Sequence, residues 1–384
     1  MHWSWQRPDI PKRYQSWLTV NRWWLQTTAL GITALVITAA FKRNNWAPWT
    51  GFQGKDLWAW LQLLGVPLTL AILGYLLQQQ EKKRSREEAK DEILTAYIDR
   101  VSLLLIDKNL LGIASKIYPI DDDDEDELFP EHEKPVDIPD LTLAEKELFV
   151  SSIDVIRART LAILRQFEND EVRKASVLRF LIETKIIQKA KLCLKGADLS
   201  GIELLQDEAD LNGINLTYAN LSGVSFPAGF ISNANLANAN LRKAYLPGVA
   251  FKGTELTWAD LSDACLLSTY FKNAELQFAL LRRANLSQAF LTNAWLMKAD
   301  LRGADLSQAL LNDADLSGTD LRETSLDQTR LDNIKFDEHT KWPENNEVAK
   351  AINLPKQLQQ KLGVKGLLMK VDPAVEEMYR QIPF

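Results

Sequence analysis

The second half of the chain carries an apolar pattern that repeats every five residues. From Leu211 to Phe336 every fifth residue is Leu, Ile or Phe, and a small or β-branched residue stands two positions before each of them. An α-helix repeats about every 3.6 residues and a strand about every 2, so neither produces this pattern. The period predicts a solenoid whose units turn sharply and point both residues inward, because such small units bury a core only when stacked.

The ends of this solenoid are expected to be irregular or capped. Leu199 and Leu204 start the same pattern, but a two-residue slip before Leu211 predicts a bulge or an irregular first coil. Open strand edges at the two ends need caps. The helix predicted to end near Lys191 is placed to cap the first coil, and the segment from Pro343 is placed to cap the last.

Two charge-free runs lie near the N-terminus, at residues 23–41 and 57–80. Each is long enough for a helix to cross about 30 Å of hydrocarbon. We therefore predict a two-helix transmembrane hairpin within residues 1–80, with helices at about 23–41 and 57–77. Lys and Arg are more frequent at the outer flanks than in the loop, which predicts an integral membrane protein of the plasma or thylakoid type, with both termini and the repeat domain cytoplasmic. A cleaved signal peptide or two buried core helices are the alternatives.

Residues 81–191 are predicted to form a helical cytoplasmic region. Apolar residues recur there at helical spacing, and Thr142 with Glu145 forms a capping-box pattern. The acidic loop 119–140 could bind calcium, but it lacks the glycine turn and ligand alternation of an EF-hand, which favours a solvated loop. The basic residues of the later helices either contact anionic lipid or form surface ion pairs.

The C-terminal segment 343–384 is predicted to be a cap followed by a tail. Asp372 before Pro373 is typical of a helix start, which predicts a short helix to about Gln381. This helix could complete the cap or act as a docking peptide, and we expect a cap.

Composition narrows the functional classes. The 384 residues include 25% charged and 46% hydrophobic residues, which excludes wholesale disorder. The formal net charge of -6 gives no support for a general nucleic-acid binder. Two cysteines and three histidines exclude a disulfide scaffold and a cysteine-rich zinc module, and no nucleophile, base and orienting acid can be placed together. We therefore expect no enzymatic activity, cofactor or metal.

The repeat resembles a known family. Stretches such as Ala299-Asp300-Leu301-Arg302-Gly303 are similar to pentapeptide-repeat proteins of the A-(D/N)-L-x-x type, over Gly196 to about Thr340. The resemblance implies a right-handed quadrilateral β-helix with four units per coil, here at residues 192–342. The segments 50–52, 57–67, 97–105 and 156–161 are similar to membrane-anchored members that are common in cyanobacteria, and Trp342-Pro343 is similar to a common ending of their repeats.

With four units per coil, residues 20 apart share a face, and two kinds of column emerge. Aromatic or apolar residues that point outward form candidate interaction surfaces, which are either docking sites or covered by the chain's own helices or tail. Basic residues form a stripe that either attracts an anionic partner or is neutralised by neighbouring aspartates such as Asp260, Asp300 and Asp320. The first set is Phe230, Tyr270, Phe290 and Leu310, with Tyr218, Trp258 and Phe278 in a second column. The stripe is Arg242, Lys243, Arg282, Arg283, Arg302 and Arg322.

Two functions are compatible with the sequence. The first is a non-enzymatic, membrane-anchored scaffold that presents a rigid β-helix to unidentified protein partners. The alternative is a DNA-mimicking inhibitor of a topoisomerase or another nucleic-acid-binding protein, a role implied by the resemblance. Residues 196–340 hold 11 basic and 19 acidic side chains, so the repeat is moderately acidic. Apart from the bilayer and these proteins, we expect no nucleic-acid partner and no small-molecule substrate.

Overall fold

The computed structural model describes residues 66–118, 141–204 and 210–367. The chain divides into two compact units, Met1–Arg86 and Glu87–Phe384, and the first is described only from residue 66. The predicted helix at 23–41, the acidic loop 119–140 and the predicted helix after Asp372 lie outside the described residues.

The predicted second transmembrane helix, at about 57–77, lies partly outside the described residues. Helix α1, Val66–Asp107, has 42 residues and continues without a break into strongly charged sequence from Glu81 onward. Within the described ranges, no helix is both long enough and apolar enough to cross a membrane. The predicted localisation, an integral membrane protein with cytoplasmic termini and repeat domain, is contradicted by this finding.

Four further helices precede the solenoid: α2, Leu110–Ile117; α3, Leu143–Gln166; α4, Glu171–Glu183; and α5, Ile186–Ala190. The capping box at the start of α3 is present, because Thr142 and Glu145 each accept a hydrogen bond from the other's backbone amide. The helices from Glu87 onward share a buried core that includes Val101, Ile156 and Leu178.

Polar contacts join α1 to α3 and to α4. The hydroxyls of Tyr97 in α1 and Thr160 in α3 share a buried hydrogen bond of 2.7 Å. Burial raises the pKa of the Tyr97 phenol to about 12, although this hydrogen bond acts to lower it. Arg173 in α4 lies 2.8 Å from both Glu87 and Asp91 of α1 and also pairs with Asp170. Arg173 is therefore neutralised by ion pairs within this region.

The solenoid is built from parallel bridges between coils. From Asp210 to Asp315 each bridged residue pairs with the residue 20 positions later, as in Asn240 with Asp260. Four five-residue units therefore complete one coil. The first coil differs, because Cys193 pairs with Asn215, 22 positions away. The two additional positions correspond to the two-residue slip between Leu204 and Leu211 in the sequence.

Each unit presents five positions with fixed roles. The Leu, Ile or Phe and the small residue two positions before it point inward and are almost all buried. The residue between them bridges to the next coil and faces outward. The two residues after the large one form a corner, in which the second has a positive φ and the turn closes with a backbone hydrogen bond such as Ala244 N to Leu241 O.

Hydrogen bonds inside the units explain two sequence preferences. An Asn or Asp in the bridged position accepts a hydrogen bond from the backbone amide two residues later, as Asn220 does from Ser222 at 3.3 Å. Threonines in the small inward position donate to a carbonyl of the preceding coil, as Thr254 does to Ile231 at 2.6 Å, except Thr269, which donates to Leu266 of its own turn. Buried hydroxyls in the core are thereby satisfied.

Both ends of the solenoid are capped by the chain. At the start, the fully buried Lys174 of α4 donates to Asp198 at 2.6 Å. Partial burial acts to raise the pKa of Asp198, but hydrogen bonds from Lys174 and Ser200 hold it below the ordinary value. At the other end, helices α6, Asn345–Val348, and α7, Lys356–Leu362, follow the last coil. Ile352 between them bridges to Arg330 and closes the open edge.

Candidate interaction surface

We number the four faces of the solenoid by their outward bridged residues. Face 1 carries Asp210, Phe230, Ala250, Tyr270, Phe290, Leu310 and Arg330. Face 2 carries Asn215, Asn235, Glu255, Glu275, Trp295, Asp315 and Lys335. Face 3 carries Asn220, Asn240, Asp260, Leu280, Asp300, Asp320 and Lys341. Face 4 carries Ser225, Tyr245, Cys265, Asn285, Asp305 and Ser325. Each corner is named by the two faces that it joins.

The predicted row Phe230, Tyr270, Phe290 and Leu310 lies on face 1. Phe230 is 40% exposed and the other three are half-buried. The rings of Tyr270 and Phe290 stack with centroids 4.7 Å apart and an interplanar angle of 9°. Because these residues replace the usual Asn or Asp, their units lose the side-chain bond to the corner amide. Face 1 is therefore an apolar strip that runs over successive coils.

The predicted column Tyr218, Trp258 and Phe278 lies at the corner between faces 2 and 3. Tyr218 is 60% exposed and Trp258 is 57% exposed. The rings of Trp258 and Phe278 stack at 4.3 Å between centroids, with 3° between their planes. The ammonium of Lys298 lies 5.3 Å from the Phe278 centroid, and that of Lys195 lies 5.2 Å from the Tyr218 centroid. These are cation–π distances.

All three aromatic residues of this column have a left-handed backbone. Their φ angles are 60°, 63° and 60° at Tyr218, Trp258 and Phe278. A positive φ favours Gly and Asn, and it is unusual for a bulky side chain. Other corner positions hold Gly or Asn, as at Gly213 and Asn238, or a non-aromatic residue such as Lys243 or Gln288. The column therefore places aromatic rings at a position where the backbone favours smaller residues.

The two aromatic sets lie on different sides of the solenoid, with face 2 between them. The described helices and C-terminal segment leave Tyr218, Phe230 and Trp258 exposed to solvent. The alternative in which these elements cover the columns therefore finds no support in the part of the chain that the structure describes.

The predicted basic stripe lies at the corner between faces 3 and 4, beside the aspartates of face 3. Arg282 and Arg302 both reach Asp300 at 2.7 Å. Burial would raise the pKa of Asp300, but hydrogen bonds from Arg302 and Arg282 lower it to about 2.

The other members of the stripe lie in similar surroundings. Arg242 lies 3.3 Å from Asp260, Arg283 lies 2.8 Å from Asp263, and Arg322 lies 2.7 Å from Asp320. Lys243 is exposed and contributes to the low pKa of Asp263, for which the hydrogen bond from Arg283 is the largest cause. The stripe is thus a ladder of ion pairs in which positive and negative side chains alternate.

Sequence reasoning missed several exposed apolar side chains. Tyr245 on face 4 is 51% exposed and Trp295 on face 2 is 48% exposed. Both occupy the bridged position, so the rule that assigned Phe230 to an outward row also applies to them. They were missed because no other bridged residue of their own faces is aromatic, so neither forms a row.

Among residues 66–118, 141–204 and 210–367, no group of three or more His, Cys, Asp or Glu side chains could hold a metal ion. Cys193 and Cys265 are free thiols.

Comparison with known proteins identifies the repeat. A sequence model described as "Pentapeptide repeats" matches in eight copies, at residues 193–227, 231–266, 264–303 and 299–337. The chain contains a pentapeptide-repeat domain. No curated protein matches the sequence at a significant level.

Several solved pentapeptide-repeat structures are similar to part of this chain. HetL, a protein involved in heterocyst differentiation regulation from the cyanobacterium Nostoc sp. strain PCC 7120, is 27% identical over 41% of this chain and 73% of its own, with a TM-score of 0.28. QnrB1, a plasmid-mediated fluoroquinolone resistance protein, is 19% identical over 46% of this chain and 84% of its own, with a TM-score of 0.23.

Rfr23 from the cyanobacterium Cyanothece 51142 is 20% identical over 42% of this chain and 99% of its own, with a TM-score of 0.15. All three TM-scores are below 0.5, so these likenesses carry no argument about function. The pentapeptide-repeat assignment rests on the period-five sequence and on the bridges between coils.

Proposed function

We propose that this protein is a non-enzymatic interaction scaffold whose pentapeptide-repeat domain binds a protein partner at the corner between faces 2 and 3. The observation that carries the proposal is the exposed aromatic column Tyr218, Trp258 and Phe278. Exposed Trp and Tyr side chains are enriched among the residues that contribute most to protein–protein binding. The proposal includes no membrane anchor.

The exposure of the column supports this function. The positive φ of these residues is shared by corner positions throughout the repeat, such as Lys243 and Gln288, so the backbone alone does not single them out. At Trp258 the ring is more than half exposed, so packing in the chain's own core gives little reason for an aromatic side chain there. A role in binding gives a reason for an aromatic side chain at this position.

The solenoid also suits a binding role because it is pre-organised. Backbone hydrogen bonds join every coil to the next, as Trp258 N to Gln277 O at 3.0 Å. The corner therefore needs little ordering when a partner binds, and less conformational entropy is lost.

The DNA-mimic alternative draws less support from the charge distribution. A mimic of duplex DNA needs rows of acidic side chains that present uncompensated charge. On face 3 the carboxylates of Asp260, Asp300 and Asp320 instead pair with arginines at the neighbouring corner. No feature of the described residues specifically favours mimicry.

The test is site-specific photo-crosslinking in the cells of origin. A photo-reactive amino acid replaces Ala237, which lies at the same corner one coil before Trp258. The matched control replaces Ser307, a corner residue of the same type between faces 4 and 1. We expect a protein adduct from position 237 that is lost when Trp258→Asn is added, and no such adduct from position 307.

The variant Trp258→Asn suits this test because Asn238 occupies the same corner position one coil earlier, with a φ of 60°. The backbone should therefore accept asparagine without refolding the corner. Identical adducts from positions 237 and 307, or an adduct that persists in Trp258→Asn, would contradict the proposed surface.

A further inference from the structure

The aromatic corner column has one ring face that the chain leaves open. From coil to coil the column places Tyr218, Asn238, Trp258, Phe278 and Lys298 at equivalent positions. Phe278 covers one face of the Trp258 ring at 4.3 Å, and Lys298 covers the far side of that stack. The other face of Trp258 is directed toward the coil of Asn238, whose side chain is much shorter than an aromatic one.

The chain itself indicates what these ring faces bind. An aromatic face is negative and attracts a cation that lies within about 6 Å of its centroid. Lys298 supplies that cation for Phe278, and Lys195 supplies it for Tyr218. No cation of the described residues lies over the open face of Trp258 in the same way, so this face can accept one from a partner.

Face 2 adds negative charge next to this column. Glu255 and Glu275 occupy neighbouring coils, each three residues before an aromatic residue of the column. Neither forms an ion pair within the described ranges; Lys252 and Lys272, at the opposite corner of face 2, do not reach them. Glu255 accepts a hydrogen bond from Asn235. Burial, and then the charge of Glu275, raise the pKa of Glu255. This pair of carboxylates contrasts with face 3, whose aspartates are paired with arginines.

We propose that the corner between faces 2 and 3 binds an arginine side chain from a basic segment of the partner protein. The guanidinium stacks on the open face of Trp258 beyond Asn238, and the carboxylates of Glu255 and Glu275 balance its charge. The inference rests on the proposed function and names the chemistry of its partner.

An arginine side chain fits this surface better than a lysine side chain or a nucleic-acid phosphate. Its guanidinium is planar and weakly hydrated and stacks on aromatic faces, whereas the lysine ammonium is a compact, strongly hydrated charge. A nucleic-acid strand is disfavoured, because its phosphates would lie against the two glutamates.

The test measures occupancy at the site with a defined probe. The full-length chain with the photo-reactive residue at position 237 is titrated with a biotinylated Gly-Arg-Gly-Arg-Gly peptide. Peptides with citrulline or lysine in place of arginine are the probe controls. A local readout is needed because the acidic run at residues 121–127 would also attract basic peptides.

We expect a saturable adduct with the arginine peptide, a weaker one with the lysine peptide and none with the citrulline peptide. Trp258→Asn should raise the half-maximal peptide concentration about tenfold, as expected for loss of a cation–π contact. Glu255→Gln with Glu275→Gln should raise it by a similar factor. The matched control, Glu323→Gln with Asp327→Asn, removes the same charge from corners away from face 2 and should leave it unchanged.

Two results would overturn this inference. One is an equal loss of binding in the control pair and in the glutamate pair, which would mean that only net charge matters. The other is equal adduct with the citrulline peptide. If either occurs while the cellular adduct from position 237 still depends on Trp258, the interaction surface stands and only its arginine chemistry fails.

Discussion

The arginines of the predicted basic stripe illustrate how single residues share charge on this solenoid. Asp300 accepts hydrogen bonds from Arg302 on its own coil and from Arg282 on the preceding coil. The coil spacing thus brings one carboxylate between two guanidinium groups. Because the pairing joins coils, it stabilises the stack as well as neutralising the surface.

This arrangement predicts a pH-dependent contribution to stability. The pKa of Asp300 is lowered to about 2 in the folded state from an ordinary 3.8. A lowered folded-state pKa means that the contribution is complete above the ordinary value and is lost as pH falls toward about 2. Allowing for the exposure of both arginines, we expect it to be about 1–2 kcal/mol at neutral pH.

Urea denaturation of Asp300→Asn and the unmodified protein at pH 7 and pH 3 checks this prediction. The difference in unfolding free energy should shrink at pH 3. The control Asp313→Asn removes an exposed aspartate outside the arginine ladder and should show no comparable change. A difference for Asp300→Asn that is constant with pH would rule the contribution out.

The inward-facing residues of the solenoid could be predicted from the sequence, but the contacts of its outward-facing side chains could not. The inward rows, such as Leu241 with Ala239, follow directly from the period of five. Whether Arg282 attracts a partner or pairs with Asp300 could not be decided from the sequence, because side-chain direction at a corner depends on the coil above. The open face of Trp258 was missed for the same reason.

At the scale of elements, the helices before the solenoid act as its cap. Lys174 of α4 is fully buried and reaches Asp198 of the first coil at 2.6 Å. Asp198 also accepts a hydrogen bond from Asn220 of the next coil at 2.9 Å. This chain of contacts joins the helical region to two coils.

We predict that Lys174→Ala lowers the unfolding free energy by about 3–5 kcal/mol, because it leaves Asp198 partly buried without its cation. Lys174→Met combined with Asp198→Asn removes both charges and fills the space, so it should cost clearly less. Chemical denaturation followed by helical circular dichroism distinguishes the variants. Equal costs for the two would show that the charge pair has no special role in the cap.

Element prediction failed where length was counted without context. The run at 57–80 satisfied the length rule for a membrane helix, but its described part belongs to α1, which continues through charged sequence to Asp107, and the described residues include no helix that could cross a membrane. A helix continues as long as its residues favour it, so the end of an apolar run does not mark the end of a helix. The capping box at Thr142, by contrast, depends only on neighbouring residues and was predicted correctly.

At the scale of the whole domain, the coil is the unit that can be removed. The same backbone hydrogen bond recurs every 20 residues along the chain. Leu281 N donates to Asp300 O, and one coil later Leu301 N donates to Asp320 O. Stability in such arrays is approximately a sum over repeats and their interfaces. One coil more or fewer should therefore change the stability without changing the fold.

Deletion of residues 302–321, one full coil, should leave a folded domain with a moderately lower melting temperature. Deletion of residues 302–318 is the control, because its three-residue mismatch moves every later large residue out of the interior, and the native first coil accommodates an offset of only two. We expect this control to lose cooperative unfolding in a thermal scan. If both deletions unfold alike, the coil is not the structural unit.

Bridged positions can hold residues other than the usual Asn or Asp. This tolerance affects how the gene can evolve. The inward rows hold the coil together, whereas a substitution at an outward position changes the surface without disturbing the core. A duplicated coil would therefore carry a copied surface that can diverge freely from its original. Through this route a lineage could acquire new binding specificities by lengthening the gene and altering outward codons, while both caps and the interior stay as they are.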